Sequence, residues 1–171
     1  MPRADRTRAA GYGAAALSAA YGSMKLAQAL GANALADKDP LPPDLRERLL
    51  TRDPLFVASH WALACAAVVG VIVALATVRP WGTSRARRLL VVATTTLGIL
   101  MMARSLGVVG FGFVGDVLVL TGVRPARPEY AVLARDLAWW DLLLWSPFFL
   151  LWGACWVTAG RGLRRAERER S

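Results

Sequence analysis

The sequence predicts an all-α integral membrane protein, a bundle of four spanning helices with a glycine-rich interfacial or re-entrant segment after the third span. Three observations lead there. Hydrophobic residues make up 56% of the 171 positions, against roughly 45–50% in soluble domains, and charged residues 19%, against about 25%. The 21 basic and 12 acidic residues, a net charge of +9, stand in short blocks between long apolar runs instead of on an amphipathic period. Four of those runs, residues 9–32, 55–78, 89–110 and 137–159, have the ~20 residues needed to cross a hydrocarbon core of ~30 Å. They leave no room for a separate soluble domain, so residues 1–171 read as one membrane domain.

The first span follows Arg3, Arg6 and Arg8 and is rich in alanine. Gly11, Ala15 and Ala19 form a small-residue ridge suited to helix packing, and Ser18, Tyr21, Lys25 and Gln28 form a polar stripe at helical spacing. Ala34-Leu35-Ala36 has the form of a signal-peptide cleavage site. The length of the apolar stretch and the polar stripe argue instead for a retained helix set against its neighbours. The following loop predicts an extended piece at Pro40-Leu41-Pro42-Pro43 and a short surface helix from Asp44 to Leu50, capped by Asp44.

The second span is apolar apart from Ser59, His60 and Thr77. After it come Arg79, Arg85, Arg87 and Arg88 with no acid among them. Apolar character then runs from Leu89 to Val123, broken only by Arg104 and Asp116, and a straight helix of that length would reach ~52 Å, too long for a membrane. The third span is therefore expected to end near Gly110, with Gly110-Phe111-Gly112-Phe113 and the glycines from Gly107 to Gly122 lying at the outer interface or dipping back. Five of the seven tryptophans fall in the fourth span. Trp139, Trp140, Trp152 and Trp156 lie near its ends, where indoles anchor at the interface. Trp145 lies deeper, and Pro147 is expected to bend the helix.

Basic residues set the threading direction. The N-terminus, the 79–88 connection and the C-terminal tail hold twelve basic residues and three acids, while the other connections hold seven basic residues and, Asp116 aside, seven acids. Both termini are thus expected in the cytoplasm of a multi-pass cell-membrane protein. The basic residues flank apolar runs instead of interleaving with aromatics on a folded face, which argues against a nucleic-acid partner.

Ionisable groups inside spans are functional candidates. Lys25, His60, Arg104 and Asp141 fall on four different spans at similar depth from the outer side, and Asp116 and Trp145 could join them. The expected arrangement is a polar pocket open to the outer leaflet, with Lys25 and Arg104 opposed by Asp141 and Asp116 and with a titratable His60 between them. The competing expectation is a set of snorkelling side chains or structural ion pairs. Cys65 and Cys155 lie at different depths and read as packing residues. The spacings suggest no metal site, redox pair or cofactor. Ser59 and His60, adjacent on a helix, point about 100° apart and make a poor hydrolytic set with Asp141.

The run from Ala134-Arg135-Asp136 to Trp152, ARDLAWWDLLLWSPFFLLW, with Arg104-Ser105-Leu106-Gly107-Val108-Val109-Gly110-Phe111, resembles an uncharacterised family of small four-helix membrane proteins common in high-GC bacteria. Heavy use of alanine and arginine, with Lys25 and Lys38 the only lysines, fits such a coding bias. The likeness is strongest over the third and fourth spans. It implies architecture alone. Three function classes follow: a non-enzymatic scaffold or accessory subunit of another membrane protein, favoured at this level; a binder or carrier of a small amphiphile; and, last, an intramembrane enzyme.

Overall fold

The computed structural model describes residues 3–32, 38–79, 84–107 and 112–168. Among these every regular element is helical: α1 (Arg3–Ala29), α2 (Pro43–Leu50), α3 (Pro54–Val78), α4 (Ser84–Leu106), α5 (Phe113–Leu120), a 3-10 turn (Pro128–Tyr130), α6 (Ala131–Trp140), a π-helical turn (Asp141–Trp145) and α7 (Ser146–Arg168). Among the described residues, three stretches are long and apolar enough to cross a membrane: Pro54–Val78, Arg85–Leu106 and Pro128–Arg165. The first predicted span has the length, 27 residues, but not the apolarity. Its buried stripe of Ala10, Ala14, Ser18, Lys25 and Gln28 is small or polar, and that composition is the reason.

The chain divides into two compact units. Unit 1 comprises Met1–Ser23, Ala64–Met102 and Leu151–Ser171, and so holds both termini and the 79–88 connection; unit 2 comprises Met24–Leu63 and Ala103–Leu150.

Unit 1 is built on close approach between small residues. Along α1 and α3, Ser18 lies beside Gly70 and a Cβ on Gly22 would stand 2.7 Å from that of Ala67, so the two segments run antiparallel. Against α7, the Trp152 indole N–H donates to the Ser18 hydroxyl at 3.1 Å, and the Trp152 ring lies 5.4 Å from that of Tyr21. Segments of α4 and α7 also run antiparallel. A Cβ at Gly98 would lie 2.9 Å from the Gly153 carbonyl oxygen and 3.0 Å from the Val157 nitrogen, and both are backbone atoms that cannot step aside. The outward faces are the reverse in character: Val68, Val69, Ile72, Val92, Ile99 and Leu151 are exposed. Polar and small groups inside with large apolar groups outside is the pattern of helices packed in hydrocarbon.

Several expectations are corrected. Trp152 and Trp156, read as interface anchors, are buried, Trp156 to 1% exposure, because each fills space left by Gly70, Ser18 and their small neighbours on α1 and α3. Ala19 of the predicted ridge faces outward, and Gly22 is buried in its place. Helix α2 starts one residue early, with Pro43 in its first turn and Pro42 at the N-cap without a side-chain cap; proline's fixed φ suits that first turn. Helix α4 ends at Leu106, before Gly110. The Ala34-Leu35-Ala36 sequence, Asp37 and the Gly110-Phe111 pair lie outside the described residues.

A Gly98→Leu protein is expected to lose about 1–3 kcal/mol or more of stability, because the side chain meets backbone. Val92→Leu, on an exposed face, should stay within about 0.5 kcal/mol. Thermal unfolding in detergent compares the two.

Candidate functional site

Unit 2 starts from a local backbone constraint. Pro147 has no N–H to give and its ring crowds the preceding turn of a helix. The chain answers with one wide turn: Asp141–Trp145 is π-helical, and the Ser146 N–H reaches back five residues to the Asp141 carbonyl. Turns of this kind re-aim side chains and recur at functional positions. Here the turn buries Asp141 completely, at 0% exposure.

Arg104, in the last turn of α4, meets that carboxylate with both terminal nitrogens. Nη2 donates to Oδ1 at 2.8 Å and Nη1 to Oδ2 at 3.4 Å, a two-point grip suited to the planar guanidinium. The Ser146 hydroxyl adds a bond to Oδ2 at 3.2 Å, and the neighbouring Ser105 hydroxyl donates to the Ser146 carbonyl at 2.7 Å. The guanidinium also lies 5.2 Å from the centre of the Phe149 ring, a cation–π contact.

Asp116 comes to the same place on α5, which packs against α6 and the π-helical turn. Its position depends on glycine. Gly107 ends α4 with φ +83, and a Cβ on Gly112 would lie 2.6 Å from the Arg104 carbonyl oxygen and collide with the Gly107 backbone. Asp116 is 1% exposed, and neither carboxyl oxygen has a hydrogen-bond partner among the described residues. Burial, and then the nearby Asp141 carboxylate, push its carboxyl up to about 8, with Arg104 pulling the other way.

Lys25 belongs to a second network. Its ammonium donates to Asp39 Oδ2 at 2.9 Å and to Gln28 Oε1 at 3.0 Å, and all three residues are buried. Lys25 was expected to oppose Asp141 and Asp116, and its carboxylate partner here is instead Asp39, from the loop after α1. Trp145 links this region to the π-helical turn, its indole N–H donating to the Lys38 carbonyl at 2.8 Å. His60 joins neither network by a hydrogen bond. Its Nδ1 donates to the Phe56 carbonyl at 2.9 Å, one turn back on α3, and its buried Nε2 has no partner among the described residues. Ser59 donates to that same Phe56 carbonyl, so Ser59 and His60 do not address each other.

A cavity of about 500 Å³ opens elsewhere in unit 2. Tyr130, Leu133, Ala134 and Leu137 line it together with Leu41, Pro43, Ala126 and Arg127. The first four lie at i, i+3, i+4 and i+7, one face of a helix. That spacing is legible in the sequence. Continued one further turn, the face arrives at Asp141.

Removing either member of the ion pair should have unequal effects. Arg104→Met leaves two buried carboxyls without a cation and is expected to cost about 3 kcal/mol or more. Asp141→Asn leaves Asp116 to face Arg104 and should cost less, about 1–2 kcal/mol. Lys25→Met should not rescue Asp141→Asn, since the partner of Lys25 is Asp39. Unfolding of the four proteins in one detergent ranks them.

Compared with known proteins, no curated protein and no solved structure matches the chain. Residues 29–156 match the family described as protein of unknown function (DUF3995). This stretch takes in the π-helical turn, the Arg104, Asp116 and Asp141 cluster, the cavity and Asp39, while Lys25 and Gln28 lie just before it. The chain thus belongs to the DUF3995 family of proteins of unknown function.

Proposed function

We propose that this is a multi-pass membrane protein, with four spans and both termini cytoplasmic, that binds a small anionic single-chain amphiphile in the cavity beside α6. The cavity carries the reading. Its volume of about 500 Å³ falls in the range of small-molecule sites, ~300–1,000 Å³. Its walls are mostly apolar, suited to an acyl chain, and its polar lining residues are Arg127 and Tyr130, whose side chains suit an anionic headgroup. Arg127 and Tyr130 are exposed while Leu137 is buried, which grades the site from a polar mouth to an apolar floor.

The four-span arrangement is supported by α1, which packs along α3 and α7 in unit 1 with its polar stripe inward. A helix sheltered in this way needs less apolar character than one facing lipid. The cytoplasmic orientation is supported by the arginine blocks, since the N-terminus, the 79–88 connection and the tail all fall in unit 1. A scaffold role through small-residue faces is less favoured, because Gly22, Gly98 and Gly153 already lie in helix–helix contacts within unit 1.

Two measurements test this reading. Purified protein should bind a dansyl-labelled medium-chain fatty acid, and Ala134→Trp, which fills the cavity, should weaken binding at least ~10-fold, about 1.4 kcal/mol. Arg127→Gln should weaken the fatty acid and leave the matching alcohol unchanged. Equal binding by the Ala134→Trp protein rejects the cavity as the site. Reporter fusions after Arg85 and after Arg170 should both report cytoplasm, and an external signal at Arg170 rejects the four-span topology.

A further inference from the structure

The cluster in unit 2 brings two carboxyl groups to one guanidinium. We propose that Asp116 and Asp141 hold a single proton between them, so that the cluster is a proton-binding site with Arg104 as its fixed countercharge. The hydrogen bonds tell the two carboxyls apart. Asp141 accepts from Arg104 at 2.8 and 3.4 Å and from Ser146 at 3.2 Å, so it is the ionised member. Asp116 is as deeply buried, yet neither of its oxygens accepts a hydrogen bond among the described residues.

A buried carboxylate without a donor is costly. A carboxylic acid turned toward a carboxylate brings its own donor, and two like groups at one site are held together by sharing a proton. Charge gives the same answer: with both groups ionised the cluster carries one net negative charge, and with one proton it is neutral. Among the described residues, no other charged side chain of α5, α6 or the π-helical turn is buried beside Asp116. α5 carries none besides Asp116 itself, Arg135 and Asp136 of α6 are exposed, and the π-helical turn contributes Asp141 alone.

The direction of titration agrees with the geometry, since the Asp116 carboxyl is pushed from 3.8 up to about 8. A proton kept by the folded protein and released by the unfolded chain stabilises fully below the unfolded value. That contribution declines as pH climbs from there through about 8 and is flat above it. Release leaves two carboxylates against one guanidinium where α5 meets the π-helical turn. The proposal stands on the cluster and is independent of the amphiphile reading.

Infrared spectra of the full-length protein in detergent, titrated from about pH 6 to about pH 10, test it directly. A protonated-carboxyl band is expected at the acid end, lost with a midpoint near 8 and missing throughout in Asp116→Asn. A wild-type spectrum without this band, or an Asp116→Asn spectrum that retains it, overturns the proposal. Melting temperature gives a second readout: it should fall with rising pH for the wild type and stay level for Asp116→Asn, and equal slopes overturn the proposal. Should Asp116→Asn fail to fold, presence or absence of the wild-type band decides.

Discussion

A charge buried among apolar helices has to be neutralised by a charge brought from elsewhere in the chain, and the Arg104–Asp141 pair is where unit 2 meets that demand. The pair depends on a backbone event. Pro147 cannot continue a regular α-helix at no cost, and the wide turn before it carries Asp141 inward. Ser105 and Ser146 tie α4 to the same turn, and α5 reaches it through the close approach of Gly112 to Gly107. A proline, two glycines and two serines thereby set the position of one ion pair.

Unit 1 is held differently. Its segments approach through Gly22, Gly70, Gly98 and Gly153, and its buried polar atoms are satisfied one at a time, as Ser18 is by the Trp152 indole and the Thr94 hydroxyl by the Leu90 carbonyl. Hydrocarbon gives apolar side chains no reason to leave the surface, so packing there is decided by closeness of backbones and by hydrogen bonds. This explains why a fully buried Trp156 lies beside Gly70 while Val68, Val69, Val92 and Leu151 face out.

Membership in a family of unknown function supplies a boundary and no chemistry, so a functional reading has to come from sites. Unit 2 contains two that differ in kind. The cavity is apolar with a polar mouth, and the charge cluster is closed to solvent at both carboxyls. Leu137 of the cavity and Asp141 of the cluster lie one helical turn apart on the same face, which puts the cavity and the charge cluster on a common element.

By itself the sequence determined the helical class, three of the apolar stretches and the ionisable residues that would need partners, because each follows from local composition and a period of 3.6 residues. It also identified Pro147 as a point of distortion and the Gly107–Gly115 region as one where a spanning helix stops. Only the tertiary structure decided who pairs with whom. Lys25 was equally able to meet Asp116, Asp141 or a loop acid, and Asp39 was chosen. Trp152 and Trp156 had the positions of interface anchors and became interior packing. Pairing and burial depend on which helix faces come together, and that is settled by long-range packing between small residues whose individual signals in a sequence are weak.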